Sequence, residues 1–194
     1  MTKHTTREGW LLELTARLRP MFAAQGAELP AKIRVSCSWP GGGSARTRVG
    51  EAWSAKCSAD GAHETFISPA MGDVAEVAHI LVHELVHHAV GIECGHKGKF
   101  RSLATALGLT GKMTATVATP ELAATLLEMT DAVGPYPHST LTPGEGRKKQ
   151  TTRMMKLECS ACGCIARMTR TWLVDVGPPT CGCGGEMFME GENV

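Results

Sequence analysis

The stretch DVAEVAHILVHELVHHAVG, residues 73–91, decides how this chain is read. Asp73 followed three residues later by Glu76 has the form of a capping box, and Gly91 suits the residue just past a helix end. Between these marks Val74, Val77, Ile80, Leu81, Val82, Leu85, Val86 and Val90 are apolar on nearly every side, which is the pattern of a buried helix. Polar groups kept inside such a helix need partners. His83-Glu84-Leu85-Val86-His87 is the H-E-x-x-H pattern. Residues four apart share one helical face, so two imidazoles can grip one zinc ion. Zinc lowers the pKa of a bound water to about 7, and the neighbouring carboxylate can take its proton as the water attacks a carbonyl. The spacing thus predicts a zinc-dependent hydrolase site with His83 and His87 as metal ligands and Glu84 as the general base.

A catalytic zinc takes three protein ligands and keeps one position open. His96, reached by a turn through Gly91 and Gly95, is the candidate third ligand. The metzincin spacing would want a histidine six residues after His87, where Glu93 stands. Glu121 or Glu128, on a later helix, would instead supply a carboxylate. His79, one turn before His83, is placed either to orient the site or simply to stand on the helix flank. His88 points about a hundred degrees away from His87 and is not expected to bind metal. Cys94 reads as a buried thiol, and the single tyrosine, Tyr136, as a packing residue with an oxyanion donor as the alternative.

Outward from this helix the chain alternates element types. Residues 8–24 carry Trp10, Leu11, Leu14, Leu18 and Phe22 at helical spacing, with Pro20 as a place for a kink. Strands are predicted over 32–38, 48–57 and 63–68, the last stopped by Pro69, and shorter helices over 98–107 and 120–129. Hydrophobic content of 43%, charged content of 20% and a net charge of +1 describe a globular protein, so any nucleic-acid argument must rest on local clustering. No apolar run approaches the roughly 18 residues of a membrane helix, and charges at Arg7, Glu8 and Glu13 interrupt any signal-peptide core. The expectation is a cytoplasmic protein without membrane contact, whose thiols stay reduced.

Five of the eight cysteines fall between Cys159 and Cys183. Cys159-Ser160-Ala161-Cys162-Gly163 is a C-x-x-C-G knuckle, and Cys181-Gly182-Cys183 supplies a second pair after a stretch that predicts strands over 165–170 and 172–176. Four thiolates in two pairs suit a structural zinc, which would drive the folding of so small a module. Cys164 is an extra thiol that either replaces Cys162 or packs. The segment before the module is rich in Thr, Pro, Gly and Lys and reads as a basic flexible linker. Arg147, Lys148, Lys149 and Arg153, with Arg167 and Arg170 in the module, form a candidate grip on nucleic-acid phosphates, and the bland alternative is a solvated tether. Trp172 is either a base-stacking platform or part of a minimal core.

His83 to His87, the Gly95-His96 pair with Phe100 four residues on, and the downstream cysteines together resemble the SprT-like, Spartan-related metalloprotease family. The likeness covers residues 30–109 and the C-terminal module, and the first helix, the strands and the Ile67-Ser68-Pro69 lead-in fit the family's order. The resemblance implies an α+β chain: a compact zincin-like metalloprotease domain over 1–138, in which a small sheet lies beside two ligand-bearing helices, a linker over 139–153, and a small β zinc ribbon over 154–194. It further implies that His83, His87 and His96 bind a catalytic zinc while Cys159, Cys162, Cys181 and Cys183 bind a structural one. The activity implied is a metallopeptidase that hydrolyses peptide bonds through a Glu84-activated, zinc-bound water. In some members the substrate is a protein crosslinked to DNA, which brings in single-stranded or damaged DNA as a partner. The second pair departs from the family's usual C-x-x-C. Two other readings stand beside this one: a nucleic-acid-binding or transcription-associated zinc protein without protease activity, and a zinc hydrolase acting on a non-peptide bond.

Overall fold

The computed structural model describes residues 4–41, 48–142 and 154–189, which fall in two compact units, Met1–Pro143 and Gly144–Val194. The chain is mixed α+β, with five α-helices and three small sheets among the described residues.

In the first unit α1 (Arg7–Ala24) begins where the Thr6 side chain accepts from the Gly9 backbone N–H. Its stripe of Trp10, Leu11, Leu14, Leu18 and Phe22 is fully buried. Pro20 lies inside this helix without dividing it. Strands β1 (Ile33–Cys37), β2 (Gly50–Trp53) and β3 (His63–Ile67) form a sheet of order β1-β3-β2, with β1 parallel and β2 antiparallel to β3. Val35, Thr65 and Ala52 are register partners across the sheet and share the face that meets the helices. The second strand is shorter than the sequence predicts, because the Ser54 side chain accepts from Lys56 N–H and turns residues Ala55–Cys57 into a 3-10 turn.

Helix α2 (Val74–Val90) follows the sequence reading at both ends. Asp73 Oδ1 accepts from Glu76 N–H at 2.9 Å, and Gly91, at φ 93°, donates to the His87 carbonyl at 3.0 Å. Its apolar residues join the α1 stripe, Val35, Ile67 and Phe100 in one continuous core. Helices α3 (Lys99–Ala106) and α4 (Pro120–Val133) are joined by an antiparallel hairpin that the sequence reading does not contain, β4 (Leu109–Lys112) and β5 (Ala115–Ala118). Helix α4 runs four residues beyond its predicted end. Trp10 Nε1 donates to the Gly134 carbonyl at 2.7 Å and fastens α1 to the end of α4.

In the second unit β6 (Met154–Cys159) pairs antiparallel with β7 (Ile165–Thr169) on one side and with β8 (Met187–Met189) on the other. Residues 172–176, predicted as a strand, instead lie in helix α5 (Arg170–Val176). Thr169 caps it by accepting from Trp172 N–H, and this local signal overrides the β-branched residues. Trp172 is 59% exposed, so it does not serve as core; Leu173 packs there instead. Among the described residues its buried core is Leu157, Cys159, Cys181 and Met187, with Ala166, Met168 and Met189 packed against it. Among the described residues no helix is long and apolar enough to cross a membrane.

Candidate metal centre

His83 and His87 project from α2 one turn apart. The chain then reverses through Gly91, a 3-10 turn at Ile92–Cys94, and Gly95, at φ 52°, before Gly98, at φ 49°, leads into α3. Such left-handed backbone suits glycine, and it swings His96 back over the helix. His96 therefore stands on a turn, so the ligand-bearing helix is α2 alone. His96 Nε2 lies 3.2 Å from His83 Nε2 and 3.3 Å from His87 Nε2. Nitrogens bound to a tetrahedral zinc at about 2.0–2.1 Å are themselves about 3.3 Å apart. The three rings fit one ion, and their donor atoms form a group that can hold a metal.

Burial, and then the neighbouring histidines, push His83 down to about 3, and burial with His96 pushes His87 down to about 4. Burial lowers His96 as well. All three are neutral at pH 7, the form that binds metal. Phe100, fully buried, packs against all three imidazoles with ring centroids 4.4–5.0 Å away. His83 Nδ1 is 2.9 Å from Thr116 Oγ1 on β5. His87 Nδ1 is buried with no partner among the described residues.

Glu84 is 6% exposed and opens onto a cleft of about 500 Å³. Arg48, Gly50 and Ala52 line one wall; Thr114, Ala115 and Thr116 line the other; His79, His83, Glu84 and His87 form the floor. Burial first, and the Glu51 carboxylate second, push the Glu84 carboxyl up to about 8, while Arg48 opposes them. A dication held by the three histidines would act in the same sense as Arg48. Arg48 is itself paired with Glu51, which also accepts from Gly41 N–H at 2.7 Å.

The remaining candidates fall away from the cleft. Glu121 and Glu128 are exposed on α4 and do not join the histidines. His88 turns to the sheet, with Nε2 2.7 Å from Thr65 Oγ1 and Nδ1 3.3 Å from His63 Nδ1. Cys94, half-buried, donates to the Val90 carbonyl. Tyr136 packs on Trp10 with centroids 4.8 Å apart and does not line the cleft.

In the second unit the sulfurs of Cys159, Cys162, Cys181 and Cys183 approach one another at 3.4–3.6 Å. Sulfurs on a tetrahedral zinc at about 2.3 Å would be about 3.8 Å apart, so this group also fits one ion. Backbone N–H groups of Cys162 and Ala161 lower the Cys159 thiol, which favours the thiolate form that binds metal, while the neighbouring sulfurs raise Cys162. Cys164 is exposed and outside the group, and the C-x-C pair completes the set without it. A Cβ on Gly185 would meet Cys159 Sγ at 2.6 Å, which explains the glycine after the second pair. Arg167 and Arg170 are on β7 and at the start of α5, and Arg147, Lys148, Lys149 and Arg153 lie outside the described residues. No protein-family model matches the chain, and neither does any curated protein or solved structure.

Proposed function

We propose that the chain is a zinc-dependent metallopeptidase of the SprT-like type, working in the cytoplasm on proteins associated with DNA. The observation that carries this reading is the meeting of three imidazole Nε2 atoms within 3.2–3.3 Å contacts, beside a buried carboxylate, on the floor of an open cleft. His83, His87 and His96 would hold the ion, which when bound supplies a Lewis acid and acidifies water at neutral pH. Glu84 takes a proton from the attacking water and returns it to the leaving nitrogen. A carboxyl whose burial already raises its proton affinity is suited to both halves of that exchange. Along one wall, β2 is an edge strand, so an extended substrate can lie beside it by backbone pairing. The four-cysteine module would hold a structural zinc and recruit single-stranded or damaged DNA, with Arg167, Arg170 and the exposed Trp172 offering charge and a stacking face.

The test is cleavage of a loosely folded DNA-binding protein by the zinc-loaded chain, with and without single-stranded DNA. Glu84→Gln should lower the rate by about two to four orders of magnitude while zinc content stays unchanged. Full activity in that variant would sink the mechanism. Two zinc ions per chain with no cleavage under any condition would replace the peptidase by a binding role.

A further inference from the structure

We propose that Thr116 is the positioning residue of the metal centre: its Oγ1 accepts the Nδ1–H of His83 and so commits the opposite nitrogen of that ring to the metal. The inference rests on the reading of His83, His87 and His96 as a metal site. Thr116 belongs to β5, 33 residues beyond His83, and both side chains are buried. A neutral imidazole has two tautomers, and only the one protonated on Nδ1 leaves the Nε2 lone pair free for a metal. A hydroxyl can donate or accept, so contact alone does not choose between them. The choice comes from the other end of the ring, where Nε2 points at His96 Nε2 across 3.2 Å. A metal can sit in that convergence only if Nε2 carries no proton, which places the proton on Nδ1, 2.9 Å from the threonine oxygen.

His83 and His87 differ in this respect. The outer nitrogen of His87 meets no partner among the described residues, so of the two helix histidines only His83 has an acceptor placed to hold its outer proton. Ligand orientation at this site then depends on the β4–β5 hairpin, which also supplies the Ala115 wall of the cleft.

The test uses the full chain, with zinc affinity measured by competition against a chromophoric chelator. His96→Ala identifies which of the two binding steps belongs to the histidines. Thr116→Val keeps the shape and the β-branch but removes the acceptor, whereas Thr116→Ser keeps the hydroxyl. Thr116→Val should weaken the histidine site about 10- to 100-fold, and Thr116→Ser should stay within about threefold of the native chain. The cysteine site should not change in either. Nitrogen NMR of the metal-free chain should find His83 protonated on Nδ1 in the native protein and should find both tautomers in Thr116→Val. Native affinity in Thr116→Val, or an equal loss in Thr116→Ser, would overturn the inference while leaving the metal centre intact. A native chain that takes no zinc at the histidines would overturn the metal centre itself, and this inference with it.

Discussion

A Cβ placed on Gly50 would overlap the Glu84 carboxylate and come within 2.8 Å of Ile80 Cγ2, so β2 can lie against Glu84 only because this residue has no side chain. Gly50 is not legible as functional in the sequence, where it is a single glycine within the predicted strand 48–57. Its role depends on a neighbour 34 positions away that only the fold supplies. Gly50→Ala should push Glu84 out of place, lowering kcat/KM about a hundredfold or more, on the scale of losing a positioned general base. Zinc content, measured alongside, should remain native, since the atoms nearest a Cβ there belong to Glu84 and Ile80 and not to the candidate ligands. By contrast, His83, Glu84 and His87 are readable at once, because their chemistry is written in a spacing of five residues on a helix with its own caps. His96 stands between: its turn is visible in Gly91 and Gly95, but spacing alone leaves Glu121 and Glu128 open. The reversal of the chain, which is tertiary, brings His96 to the other two.

Helix α2 is the element on which most depends, and its sequence carries both its limits and its burial. The β4–β5 hairpin shows the opposite case. Its strands are four residues each, and the two residues between Lys112 and Ala115 are Met113 and Thr114. Hairpin turns are usually betrayed by Asn-Gly or a glycine pair, so neither the hairpin nor Thr116 on it gives a signal. In α5 the misreading has another cause: Trp172, Val174 and Val176 favour a strand, and the Thr169 cap decides for a helix. Three neighbouring imidazoles on α2 also set how the unit responds to acid. Burial holds His83, His87 and His88 well below their ordinary value of 6.5, at about 3, 4 and 3. Unfolded histidines take up protons near 6.5 that the folded ones refuse, so the stabilisation is complete above that pH and is lost as pH falls towards 4. Denaturant midpoints of the metal-free chain should drop between about pH 7 and pH 5, the three histidines outweighing Glu84, whose raised carboxyl acts in the opposite sense. A flat profile would mean that these rings are not buried as described.

At the scale of the whole molecule, the two units would depend on metal to different degrees. The first has a continuous core drawn from α1, α2, α3, α4 and the sheet, and this apolar burial supports folding without an ion. Among its described residues the second buries only four, two of them cysteines of the candidate zinc site. A core that small does not offset chain entropy, so an ion held by the four cysteines would supply folding free energy. Hydrogen exchange after treatment with a strong chelator should therefore show β6, β7 and β8 losing protection while α1 and α2 keep theirs. Equal protection in both units would contradict the metal-dependent module.

Everything proposed for the cleft depends on a metal site that keeps one position open. Zinc-edge anomalous diffraction from crystals of the zinc-loaded chain would locate the ion and its ligands. The expected result is an ion bound by Nε2 of His83, His87 and His96, with no fourth protein ligand and with the Glu84 carboxylate beside the open position. A fourth side chain closing the coordination sphere, or no ion at these histidines, would contradict it and leave a structural zinc protein or no metal centre at all.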